Sequence, residues 1–112
     1  MSHRLAAIAA LVVVCVIAAA CVPSLAQQRA KFLEENPLTA PDVRQAILEE
    51  RVIMGMTERE VVAAIGYPND INRDTYSFGT RAQFCYDSGS IYFRPKYTYV
   101  YFENGRVTSW SQ

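Results

Sequence analysis

Gly55-Met56-Thr57-Glu58-Arg59-Glu60-Val61-Val62-Ala63-Ala64-Ile65-Gly66-Tyr67-Pro68 is the stretch whose reading decides the fold. Thr57 to Glu60 spells a capping box. The Thr57 hydroxyl accepts from the Glu60 N–H, and the Glu60 carboxylate accepts from the Thr57 N–H. Met56 stands just before the cap, placed to pack on Val61. Val61, Val62 and Ile65 form one apolar face. Gly66 supplies the left-handed turn that ends a helix, and Pro68 prevents its continuation. Glu58 and Glu60 favour the positive end of the helix dipole, so they read as helix residues and not as an acid/base pair.

Upstream, a second helix is expected over 39–50. Thr39 is placed to cap it, Pro41 suits its first turn, and Val43, Ala46 and Ile47 make its apolar stripe. Before that, Gln27 to Asn36 is polar and charged, with Phe32 and Leu33 as its only large apolar residues. It reads as a tether over 27–38, leaving a folded domain over 39–112.

Downstream, the chemistry changes. Every aromatic except Phe32 lies from Tyr67 onward, which is strand composition. Three antiparallel strands are expected: Arg81 to Tyr86, Tyr97 to Phe102, and Arg106 to Ser111. Ser90 to Phe93 either lengthens a strand or bulges from one, and Pro95 limits its pairing. Asn104-Gly105 predicts a two-residue hairpin turn. Regular pairing then sets Glu103 opposite Arg106, Phe102 opposite Val107, Tyr101 opposite Thr108, Val100 opposite Ser109 and Tyr99 opposite Trp110. On that register Val100, Phe102 and Val107 floor the helices, while Tyr97, Tyr99, Tyr101 and Trp110 share the other face. This aromatic stripe is the candidate partner-binding surface, because Tyr and Trp give large contact area at low entropic cost. The Asp87 to Lys96 loop is the next candidate.

The N-terminus reads as an address. Met1 to Arg4 is short and basic, and Leu5 to Val22 is an unbroken run of Ala, Val, Ile, Leu and Cys. Residues 1–26 are therefore expected to be a secretory leader. Two cleavage sites compete. Ser24-Leu25-Ala26 fits a small-x-small site that frees Gln27. Ala18-Ala19-Ala20-Cys21 resembles a bacterial lipobox, which makes Cys21 the candidate lipid anchor. Either route removes Cys15 and leaves Cys85 unable to form an intramolecular disulfide with a free partner. A lone Cys85 is expected in the core.

Composition narrows the chemistry. The chain has 112 residues, with 11 basic and 11 acidic side chains and a single His. Zero net charge gives no basic face for nucleic acid. His3 leaves with the leader, which removes imidazole-activated nucleophiles and His-containing zinc sites. No catalytic residue, cofactor, metal or small-molecule substrate is expected.

Gly55-Met56-Thr57, Glu60-Val61, Ile65-Gly66-Tyr67-Pro68, the aromatic strand Phe84-Cys85-Tyr86 and the closing Tyr99-Val100-Tyr101-Phe102-Glu103-Asn104-Gly105-Arg106-Val107 together resemble the SmpA/OmlA domain family. These are BamE-like small periplasmic and outer-membrane lipoproteins. The resemblance covers about Val52 to Trp110. It implies an α+β module, two helices on a three-stranded antiparallel sheet, related to the helix-helix-sheet unit of β-lactamase-inhibitor-like proteins. It further implies a non-catalytic binding or scaffold protein of the periplasm, lipid-anchored or soluble, serving outer-membrane or envelope assembly and integrity through a protein partner. The alternative is a small inhibitor or modulator of a secreted enzyme.

Overall fold

The computed structural model describes residues 23–90 and 95–112. They form three helices, α1 (Leu25–Glu35), α2 (Pro41–Leu48) and α3 (Glu58–Ile65), followed by four strands, β1 (Asp70–Tyr76), β2 (Gly79–Cys85), β3 (Tyr99–Glu103) and β4 (Arg106–Ser111). The sheet is an antiparallel meander in the order β1-β2-β3-β4, with the helices on one face. The α+β class is as expected, with one helix and one strand more.

The capping box forms as the sequence requires. Glu60 N–H donates to the Thr57 hydroxyl (3.2 Å), and Thr57 N–H donates to the Glu60 carboxylate (2.8 Å). Met56 and Val61 are both fully buried. Gly66 follows α3 at φ +92°, a conformation that side chains with a Cβ resist. The buried face is turned slightly from the expected one. Val61, Ala63 and Ala64 are buried, while Val62 and Ile65 are half-buried.

α2 has Pro41 in its first turn, as expected, but it starts there and not at Thr39, which does not cap it. The Thr39 hydroxyl donates back to the Asn36 carbonyl (2.7 Å), and Ala40 occupies the cap position without a side-chain bond. At its other end Glu50 adopts φ +58°. Glu50 N–H donates to the Ile47 carbonyl and Arg51 N–H to the Ala46 carbonyl, the paired closing bonds of a Schellman turn.

The stretch expected as a tether is helix α1. Its own capping box, Ser24 with Gln27, opens it. Arg29, only 8% exposed, fixes it to the domain. The guanidinium donates to the Ala63 (3.1 Å) and Ala64 (3.0 Å) carbonyls and pairs with Glu50 (3.4 Å). These are carbonyls of the last turn of α3, which have no intrahelical donor, and a cation suits that negative helix end. Leu33 completes the buried face of α1.

The hairpin turn is where it was expected. Asn104 and Gly105 both have positive φ, as a type I′ turn needs. Glu103 pairs with Arg106 and Phe102 with Val107. Beyond that the register departs, because Thr108 bulges and Tyr101 pairs with Ser109, Val100 with Trp110 and Tyr99 with Ser111. A bulge inserts one unpaired residue, so every later side chain on β4 changes face relative to regular pairing.

Val100, Phe102 and Val107 lie under the helices and are buried, as expected, and Phe84 joins them. Cys85 does not join them. It is half-buried on the opposite face between Asp70 and Tyr99, since Phe84 takes the inward position. Residues 1–22 of the expected leader, Cys21 among them, and most of the Ser90 to Phe93 segment lie outside the described residues, while 23–26 open α1.

Candidate functional site

The two faces of the sheet offer different surfaces. On the outer face the rungs read Asp70-Cys85-Tyr99-Ser111, Asn72-Gln83-Tyr101-Ser109 and Asp74-Arg81-Glu103-Arg106. Asn72 donates to Gln83 (3.0 Å), and Arg81 pairs with Glu103 (3.5 Å). This is a hydrogen-bonded polar surface, which an antiparallel sheet can present to water.

The expected aromatic stripe is not one surface. Tyr99 and Tyr101 sit on the outer face with ring centroids 6.2 Å apart. Tyr97 precedes β3 and is buried on the helix side, where its hydroxyl accepts from the Val52 N–H (3.1 Å). Trp110 pairs with Val100 across the bulge and meets Tyr97 edge-on at 6.4 Å. The Thr108 bulge and the end of regular pairing before Tyr99 divide the four residues into two pairs on opposite sides.

The helix side carries an open groove of about 410 Å³ between α1, α3 and β1. It exists because the helices cover β2 to β4 and stop short of β1, whose residues are all exposed. Phe32 and Val62 form one wall, Tyr67, Pro68 and Ile71 the other, and Phe84 lies at the base. Tyr67 is 78% exposed and Ile71 39% exposed, so this wall turns apolar surface to solvent inside a concave site. The rim is charged. Glu58 pairs with Arg73 across the groove (2.8 Å), and the Arg59 guanidinium lies 5.9 Å from the centroid of the Phe32 ring. The arrangement suits an apolar, hydrogen-bonding ligand surface.

Titration adds one anchor. The Tyr86 hydroxyl donates to the Gly66 carbonyl (2.8 Å), and burial pushes its phenol above the usual tyrosine range. It ties the residue after β2 to the residue after α3. Just after α2, hydrogen bonds from Gln45 and then Arg51 hold Glu49 below the usual carboxylate range, at an exposed site away from the groove.

Among the described residues no group of three His, Cys, Asp or Glu side chains is placed to hold a metal, and no helix is long and apolar enough to cross a membrane. The groove residues Phe32, Ile71 and Arg73 carry no motif. The one readable signal was Ser24-x-x-Gln27, the capping box of α1, hidden within a plausible cleavage site. Comparison with protein-family models, curated proteins and solved structures found no match.

Proposed function

We propose that this chain is a non-catalytic binding module of the bacterial cell envelope, held by a lipid on Cys21 and serving envelope assembly or integrity. The carrying observation is the open apolar groove of Phe32, Val62, Tyr67 and Ile71, set beside a polar outer face. A protein partner is its natural occupant, since aromatic and apolar residues exposed in a concave surface form the centre of binding interfaces. The resemblance of the α3 and hairpin residues to SmpA/OmlA proteins supports the same reading.

The choice of Cys21 over the Ala26 site rests on α1. Cleavage after Ala26 removes Ser24, which caps the helix, and Leu25, which packs beside Gly66. Cleavage before Cys21 keeps both. The intact mass of the mature protein should therefore match an acylated Cys21 start, and an unmodified Gln27 start would overturn the anchor.

The groove is tested by photocrosslinking in cells. A photoreactive residue at Tyr67 or Ile71 should give a discrete adduct with an envelope protein, and one at Ser109 on the outer face should not. Adducts from Ser109 alone would move the site to the outer face. The inhibitor reading is favoured by one feature, the β1–β2 hairpin tip. There Tyr76 and Phe78 stack at 5.1 Å under the Arg81 guanidinium and Phe78 is exposed. Adducts from Phe78 with a secreted enzyme would support it.

A further inference from the structure

We infer that the partner supplies an extended strand that adds to the free edge of β1, with basic residues four apart on one face and apolar residues alternating between them. The inference rests on the groove being the binding face and specifies what enters it.

Backbone pairing carries the first step. β1 pairs only with β2 among the described residues, so along its seven exposed residues alternate N–H and C=O groups face away from the sheet, with the Ile71 N–H turned to the Asp70 carboxylate (2.9 Å). The opposite edge is different. Along β4, Gly55 N–H donates to the Val107 carbonyl and Val107 N–H to the Met56 carbonyl, both at 2.9 Å, and Thr57 bridges to Arg106. The Thr108 bulge interrupts the rest. β1 is thus the edge left able to accept a regular strand.

Side chains select the strand. Asp70 and Asp74 both point to the outer face, and neither has an ion-pair partner among the described residues. Arg81, opposite Asp74, is turned instead to Glu103 and to the Tyr76 and Phe78 rings. Between the two aspartates, Ile71 and Arg73 point to the groove side. A strand whose outward residues meet Asp70 and Asp74 therefore gains by carrying Lys or Arg there, and its alternate residues descend over Ile71 toward Tyr67 and Phe32.

Two registers that would pair β1 with a second copy of itself set like charges opposite each other. Two-fold pairing of β1 centred on Arg73 sets Arg73 against Arg73. Centring on Asn72 sets Asp70 against Asp74 twice. Like charges directly opposite destabilise a pair of strands. Centring on Ile71 brings no like charges together but sets no cation against Asp70 or Asp74, whereas a basic strand compensates both.

The test uses protein purified from cells expressing the full chain, labelled for amide NMR. The probe is the peptide Thr-Lys-Val-Thr-Val-Lys-Thr, with two controls: Glu in place of both Lys, and backbone N-methylation. The Lys peptide should shift Asp70 to Tyr76 resonances, slow β1 amide exchange and bind about tenfold tighter than the Glu peptide. N-methylation should abolish binding. The D70K/D74K double variant should reverse the preference, with unchanged exchange at Val107 showing that the fold is intact. Equal binding of all three peptides, absence of β1 shifts, or a β1-mediated dimer by sedimentation would overturn the inference. If crosslinks from Tyr67 and Ile71 persist under those outcomes, only the strand inference falls. If they are absent too, the groove itself is not the binding face.

Discussion

The two edges of this sheet have opposite fates. The β4 edge is closed from within, because the loop that presents the α3 capping box also lays Gly55 and Met56 along Val107. The β1 edge extends past the helix layer, and none of its residues is buried. The difference teaches where stability and binding reside. Residues near β4 hold the core, and residues near β1 hold the open groove, so substitutions on the two sides should separate folding from partner binding.

The largest separation comes from core truncation. Met56→Ala or Phe102→Ala removes a fully buried side chain beside the closed edge and should cost roughly 2–5 kcal/mol in urea unfolding. Ile71→Ala, on the open edge, should cost about 1 kcal/mol or less while weakening the partner crosslink. Equal losses would mean that β1 is as integral to the core as β4.

Arg29→Ala comes next. It strips the Ala63 and Ala64 carbonyls of a charged donor and should cost roughly 1.5–3 kcal/mol. Its sharper consequence is local. Amide exchange in α1 should rise strongly while the Val107 amide stays protected, because the groove loses a wall and the closed edge does not.

Thr57→Ala has the reverse sense. Loss of the cap should cost about 1 kcal/mol and speed exchange at Val107, as the Gly55–Thr57 loop lies on that edge. Exchange along α1 should be unaffected.

The smallest effect is alkaline. Tyr86 is held protonated in the folded state, so folding stability is constant in this group's terms below about pH 10, the ordinary tyrosine pKa. Above it the unfolded chain releases the proton first, and stability falls as pH rises. Tyr86→Phe should shallow that fall in a thermal-melt series from pH 9 to 11, although it loses the bond to Gly66 at every pH.

Legibility followed the same division. The closed side was readable because local rules agree there. The capping box, Gly66, the Asn104-Gly105 turn and the inward Val100, Phe102 and Val107 each announce themselves within a few residues. The open side was not. β1 reads Asp-Ile-Asn-Arg-Asp-Thr-Tyr, too polar for an alternating strand, because an edge exposed on both faces has no apolar side to encode. α1 was misread for a related reason. Its attachment depends on Arg29 reaching carbonyls more than thirty residues away, a contact with no local trace. The aromatic stripe failed through one bulge, which periodicity cannot anticipate.

That bulge has a consequence for how the chain tolerates change in length. Thr108 is spelled in the sequence but not read by the ladder, since Val107 and Ser109 pair with the consecutive residues Phe102 and Tyr101. Elsewhere in a strand, deleting one residue turns every later side chain inside out. Here deletion of Thr108 gives up only its hydroxyl bond to the Tyr101 carbonyl (3.4 Å) and leaves each ladder pair in place, with Trp110 still opposite Val100. The most disruptive kind of edit becomes, at this single position, the removal of a silent letter.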